Sequence, residues 1–164
     1  MSTYEIGPKT DNDTEWVIDF LKERWGSNRM VSRGRMHYPH ELKGFVAMSG
    51  NKPVGLVTYR IEGSECEIVT LDSVVEGHGI GSGLIGAVKS AAMSAKCHRI
   101  WLITTNDNTP ALGFYQKRGF ALVSVYPNAI EQSRKLKPEI PMVGLDGIPL
   151  RDEIELEMPL RHSA

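Results

Sequence analysis

The feature that most narrows the fold is the stretch from residue 65 to residue 104. It reads as a strand, a glycine cluster, a helix and a second strand in succession. Glu65–Asp72 is a long strand dominated by CEIVTL. The cluster Glu76-Gly77-His78-Gly79-Ile80-Gly81-Ser82-Gly83 follows it. Ser82–Ala95 then carries Leu84, Ile85, Val88, Ala91 and Ala92 on one face at helical spacing. Arg99–Thr104, RIWLIT, is a continuous apolar run, the mark of a strand covered on both faces.

The flanking segments extend this pattern. Thr3–Ile6 reads as a short strand, and Asp11 to Trp25 as a helix with Trp16, Phe20 and Leu21 on one face. Arg29–His40 is polar and resists assignment. Gly44–Met48 and Pro53–Ile61 flank the turn-rich SGNKP and read as a hairpin. Asn108–Arg118 is a short helix with Pro110 in its first turn and Gly119 at its end. Phe120–Tyr126 is a strand, Asn128–Leu136 a helix and Lys137–Pro149 a Pro/Gly-rich excursion. In Glu153–Leu160, Ile154, Leu156 and Met158 alternate with Glu153, Glu155 and Glu157, which predicts a strand with one wet face. The expectation is one α/β domain over residues 1–164: meander strands first, then strand–helix–strand–helix–strand in a mixed sheet. A chain of 164 residues can bury roughly 70% of its unfolded surface, enough for one core.

Composition removes several classes of function. Lys+Arg 19 against Asp+Glu 20 gives a net charge of −1, which argues against nucleic acid as a dominant partner. Apolar runs are only a few residues long, so no segment is expected to span a membrane. The polar, acidic start lacks the pattern of a signal peptide. Cys66 and Cys97 are the only cysteines, without CxxC spacing, which suggests a reduced, cytoplasmic setting. No His/Cys cluster has zinc-ligand spacing, so no metal is expected.

The glycine cluster suits an anion. Glycines let backbone N–H groups approach a ligand closely, and a helix N-terminus adds partial positive charge. A plain strand-to-helix turn is the competing reading. A Walker loop is excluded because no Gly-Lys-Ser/Thr follows. A literal GxGxxG exists at Gly81, Gly83 and Gly86, but it lies mid-chain and its last two glycines fall inside the predicted helix, so a dinucleotide fold is a weak rival.

Two blocks together resemble the GNAT superfamily of N-acetyltransferases. Glu76-x-x-Gly79-x-Gly81 is similar to its Q/R-x-x-G-x-G/A loop. Asn106 to Phe120, NDNTPALGFYQKRGF, resembles its N-x-x-A-x-x-F-Y-x-x-x-G-F segment, one helix and one strand further on. Glu76 departs from the usual Gln or Arg, and His78 stands where a basic residue is frequent. The resemblance implies a single-domain fold with a central mixed, mostly antiparallel twisted sheet flanked by helices. It implies acetyl-CoA as acyl donor, with Gly77, His78, Gly79, Ile80, Gly81 and Ser82 at the pyrophosphate. The backbone of Leu71 and Ser73 would hold the acetyl carbonyl and pantetheine arm, and Asn108, Ala111 and Phe114 would touch the cofactor. Tyr115 stands where the family places the tyrosine whose hydroxyl approaches the cofactor sulfur, making it the general acid; packing as a core aromatic is the alternative.

Glu67 is a lone carboxylate in an apolar strand and matches the strand carboxylate that some members use as a base. Exposure to solvent on the alternate face is the competing account. Asp72 and Glu65 are understudies for that role. The resemblance implies an acceptor end that contains Trp25, Arg33, Arg35, His37 and Tyr38 early and the 127–149 excursion late; the two arginines and the histidine read as receivers of a carboxylate or as solvated loop, and the excursion as a cover for the site or a contact with a partner subunit. His37, His40, His98 and His162 lack spacing partners and read as surface or structural. Cys66 and Cys97 read as inert core residues, which favours direct attack in a ternary complex over an acyl-cysteine. The expected activity is transfer of acetyl to a primary amine, in a small molecule or a peptide. A non-catalytic acyl-CoA sensor of the same fold is the alternative. Neither nucleic acid nor membrane is an expected partner, and dimers are common among domains of this type, which leaves a homodimer open.

Overall fold

The computed structural model of the protein describes residues 3–162. In chain order, β1 (Glu5–Pro8) leads through a 3-10 turn into α1 (Thr14–Trp25). Then come β2 (Met30–Ser32), β3 (Arg35–His37), β4 (Lys43–Ser49), β5 (Lys52–Glu62) and β6 (Glu65–Ser73). After these follow α2 (Ile80–Ser94), β7 (Arg99–Thr105), α3 (Thr109–Lys117), β8 (Ala121–Tyr126), α4 (Ala129–Leu136) and β9 (Glu153–Pro159). The fold is mixed α/β, with a mostly antiparallel sheet and helices, as the sequence predicts. The chain is organised as two compact units. One comprises the residues up to Met30, Tyr38–Ile100 and the chain from Leu160; the other comprises Val31–His37 and Trp101–Pro159.

The first unit is an antiparallel meander in the order β1-β4-β5-β6. Helix α1 ends at Gly26, whose φ of +74° suits a residue without Cβ. It buries Val17 and Leu21 against Val46 of β4 and Leu56 of β5. Successive strand residues face opposite ways, so Gly55 belongs to the other face. A Cβ there would lie 2.6 Å from Ile80 Cγ2 and 3.1 Å from Leu84 Cδ1, so its absence lets α2 lie close on β5.

In the second unit the strand order is β7-β9-β8, with β8 antiparallel to β9. The unassigned polar stretch contains the hairpin β2–β3. Its turn residues Arg33 and Gly34 have φ of +49° and +74°, the left-handed pair that tight hairpins favour. The predicted wet face of the last strand is corrected here. Glu153 and Glu155 are buried, and Glu157 is partly so. Arg33 donates its backbone N–H and a guanidinium N–H to the Glu153 carboxylate, at 3.2 and 3.1 Å, and stacks over the Tyr126 ring at 3.4 Å. The Tyr126 hydroxyl donates to Glu155 at 2.8 Å. Alternation identified the face, but the hairpin that supplies its cation lies over a hundred residues upstream.

The excursion after α4 is tied down by polar side chains. Asp107 accepts from the Leu145 amide at 3.0 Å, and a Cβ on Gly144 would collide with the Asp107 carboxylate. Arg134 donates to the carbonyls of Pro141 and Leu150, each at 2.7 Å. Asn106 donates to Pro149 O and accepts from the amides of Arg151 and Asp152.

Candidate functional site

The glycine loop runs from the end of β6 into α2. Helix α2 begins at Ile80, two residues earlier than its apolar periodicity predicts. Gly79 is its N-cap in the left-handed conformation and contributes no side-chain cap, so the usual Ser/Thr/Asp/Asn signal is missing. Gly77 and Gly79 have φ of +79° and +75°, a conformation that disfavours side chains. Gly81 and Ser82 therefore lie in the first helical turn rather than in the loop. The first intrahelical bond runs from the Gly83 amide to Gly79 O at 2.9 Å, so the turn before it presents its N–H groups at the helix end. Residues 74–79 are exposed. His78 Nδ1 lies 2.9 Å from the Glu76 carbonyl oxygen. A carbonyl only accepts, so the ring nitrogen carries the proton in this bond, and the ring is anchored to the loop's own backbone. These residues fit an anionic group: exposed left-handed glycines, a helix N-terminus and an imidazole converge on one short segment. Leu71 and Ser73 lie just upstream on β6, both partly buried.

The second motif block opens α3. The Asn108 side chain accepts from the Ala111 amide at 3.3 Å, the predicted capping role. Gly119, at φ +98°, lies just beyond the helix end. Ala111, Phe114 and Tyr115 are all partly buried. The Tyr115 ring meets the Phe114 and Phe120 rings edge-on, with centroids 5.2 and 5.4 Å apart, so the core-aromatic account describes its ring while leaving the hydroxyl's role open. Arg118 lies over the Phe114 ring at 3.6 Å and donates to the Phe114 carbonyl at 2.9 Å.

The β6 carboxylates have contrasting surroundings. Glu67 is 2% exposed, which removes the solvent-facing account. Arg60, its cross-strand partner on β5, donates to it at 2.9 Å. This partner was readable but missed. The turn at Gly63-Ser64 pairs 62 with 65, so it also pairs 60 with 67, a cation opposite a carboxylate. Asp72 is equally buried, and burial pushes its carboxyl above the usual carboxylate range, with Trp25 and Arg24 opposing. Glu65 binds Arg99 at 2.6 Å and is partly exposed.

The remaining candidates have structural partners. Ser32 Oγ and His37 Nε2 lie 2.8 Å apart, with His37 buried. His162 Nε2 lies 2.6 Å from Cys97 O. Both cysteines are buried, and burial pushes the Cys66 thiol up to about 12 and the Cys97 thiol upward as well. Neither is a thiolate at neutral pH, and only a thiolate attacks an acyl donor efficiently. Among the described residues no His/Cys/Asp/Glu group could hold a metal, and no helix is long and apolar enough to cross a membrane.

Comparison with known proteins bears on both blocks. The model of the Acetyltransferase (GNAT) family matches residues 11–120, which include the glycine loop and the α3 segment. The uncharacterized protein YdhI of Bacillus subtilis (strain 168) is 45% identical over 150 residues, covering 91% of this chain and 94% of that one. In solved structures, an IAA acetyltransferase from Bacillus cereus ATCC 14579 superposes with a TM-score of 0.72 at 19% identity, covering 96% of this chain and 100% of that one. A GNAT family acetyltransferase from Elizabethkingia anophelis with acetyl-CoA bound gives 0.69 at 20% identity, covering 98% and 100%. These structures share the fold; the family match carries the assignment. With its glycine loop, its α3 block and the order in which they occur, the chain belongs to the acetyltransferase (GNAT) family.

Proposed function

We propose that this protein is an acetyl-CoA-dependent N-acetyltransferase, acting on a primary amine by direct attack in a ternary complex. The observation that carries the reading is the loop at Gly77 and Gly79, whose left-handed backbone opens directly into the first turn of α2. Gly77, His78, Gly79, Ile80, Gly81 and Ser82 take the pyrophosphate, Leu71 and Ser73 the acetyl carbonyl and pantetheine arm through their backbone. Asn108, Ala111 and Phe114 contact the remainder of the donor. The Elizabethkingia protein of this fold holds acetyl-CoA, which supports the choice of donor.

Transfer requires the amine to lose a proton, its nitrogen to bond the acetyl carbon, and the carbon–sulfur bond to break. Tyr115 supplies a proton to the departing sulfur, which improves the leaving group. The proton-accepting carboxylate belongs to β6, and Glu67 is the one the resemblance selects. Its carboxylate accepts a hydrogen bond from Arg60 across the β5–β6 ladder. The buried, protonated cysteines support direct transfer over an acyl-enzyme. The acceptor is a small molecule or a peptide, and the protein works in the cytoplasm.

Calorimetric titration with acetyl-CoA, and with CoA, 3′-dephospho-CoA and NAD as comparators, tests the reading. Micromolar binding of acetyl-CoA and none of NAD is expected. A folded protein that binds no CoA species refutes it.

A further inference from the structure

The C-terminal end of α1 carries two side chains that the proposed chemistry does not use. Trp25 is the last residue of that helix and is 51% exposed. Its indole is nevertheless held in place. Nε1 donates to Asp72 Oδ1 at 3.0 Å, and Arg24 Nε donates to the same oxygen at 3.4 Å. Two donors on one oxygen of a buried carboxylate stand side by side, so the indole and the guanidinium form one surface. The helix dipole accounts for a cation at this end, but not for a half-exposed indole. The exposed Val74 and Val75 follow shortly after Asp72 in the chain, so Trp25 is not a lone apolar residue scattered on the surface.

The two groups offer complementary chemistry. Arg24 spends only Nε on Asp72, its guanidinium lies over the Phe20 ring at 5.5 Å, and its side chain is 38% exposed. The terminal N–H groups of a guanidinium form the planar fork that pairs with a carboxylate. The indole offers a flat face to a ring. Because the Asp72 bonds fix both side chains before a ligand arrives, binding costs them little further freedom. Asp72 lies between Leu71 and Ser73, whose backbone is assigned to the acetyl carbonyl and pantetheine arm. Under that assignment the pair borders the place where an acceptor has to sit.

We propose that Arg24 and Trp25 select the acceptor, the guanidinium taking a carboxylate and the indole stacking on a planar ring, so that the favoured class is a free aromatic α-amino acid. The proposal rests on the N-acetyltransferase reading and narrows its substrate. Asp72 is a positioning residue that acts through both side chains. An amine without the carboxylate, or without the ring, engages only half of the surface.

Thiol release tests this with L-phenylalanine, phenethylamine (no carboxylate), L-alanine (no ring) and spermidine (neither). Wild type should show its highest kcat/KM with L-phenylalanine. Arg24→Gln should cut the preference for L-phenylalanine over phenethylamine about tenfold. Trp25→Ala should cut the preference for L-phenylalanine over L-alanine about tenfold, and Trp25→Phe, which keeps a ring, by less. Asp72→Asn should raise KM for L-phenylalanine while kcat holds. Calorimetry with 3-phenylpropionate, which has ring and carboxylate but no amine, reads the surface without turnover. Its affinity should fall about tenfold in Arg24→Gln and in Trp25→Ala, in variants that bind acetyl-CoA as wild type does.

A wild type that prefers any other amine of the panel, or variants with wild-type preferences, would overturn the proposal. So would a loss of kcat at unchanged KM in Asp72→Asn. If no panel amine is turned over, 3-phenylpropionate decides, and failure to bind it refutes the assignment. Binding of acetyl-CoA without binding of 3-phenylpropionate removes this proposal alone. If wild type binds no acetyl-CoA, the N-acetyltransferase reading has failed and takes this one with it.

Discussion

Tyr115 joins a hydroxyl to a ring held by two aromatic neighbours, so packing and chemistry are separable by removing one oxygen. Tyr115→Phe keeps the edge-on contacts with Phe114 and Phe120. Turnover should fall by about 10²-fold while acetyl-CoA affinity holds, as measured by thiol release and calorimetry. A matching loss of affinity would make the tyrosine structural. The motif made Tyr115 legible because its sequence neighbours carry the pattern. Asp72 was harder to rank. Its carboxylate takes its character from Trp25 and Arg24, which are forty-seven and forty-eight residues away in the chain and reach it only once α1 lies on the sheet. Glu67 and Arg60 sit between these cases, since a hairpin register read outward from Gly63-Ser64 joins them without knowledge of the whole fold.

At the scale of elements, the strand-to-helix junction is where backbone conformation matters most. Gly81→Val adds a branched side chain at the helix opening, where the donor's phosphates are assigned. Acetyl-CoA affinity should be lost with helix content unchanged by circular dichroism; wild-type affinity in the folded variant would refute the phosphate-loop assignment. The excursion offers a test without ligand. Gly144→Ala would drive its Cβ into Asp107, which also holds the Leu145 amide. A cost of about 1–3 kcal/mol is expected from overpacking, read as a lower Tm and faster proteolysis within 137–149. The helices and long strands were legible because each buries a periodic face. The β2–β3 hairpin was not, because its short strands have no apolar alternation and its turn uses Arg33 in a conformation that arginine rarely signals.

For the molecule as a whole, donor binding should appear as stability. A ligand that binds only the folded state at a hundredfold excess over its Kd stabilises by about 2.7 kcal/mol. For a chain of this size that corresponds to a Tm increase of roughly 5–10 °C, detectable by calorimetric scanning with acetyl-CoA and absent with NAD. A net charge of −1 gives no overall field to steer a charged partner, so recognition of donor and acceptor falls to local groups. The exposed glycine loop at the start of α2 is the segment proposed to supply such groups for the donor's phosphates.

The sequence by itself determined the class of fold, the order of most elements, the family and the two motif blocks. Those properties are local: periodic burial, glycine conformations and short spacings are all written within a few turns of chain. Tertiary structure decided which charges are buried and with whom. It buried Glu153 and Glu155, predicted to face water, the first beneath Arg33 and the second against Tyr126. It gave Glu67 a cation and left one oxygen of Asp72 without a donor. A carboxylate's hydration and proton affinity depend on atoms within a few ångströms, and those atoms come from segments far apart in sequence.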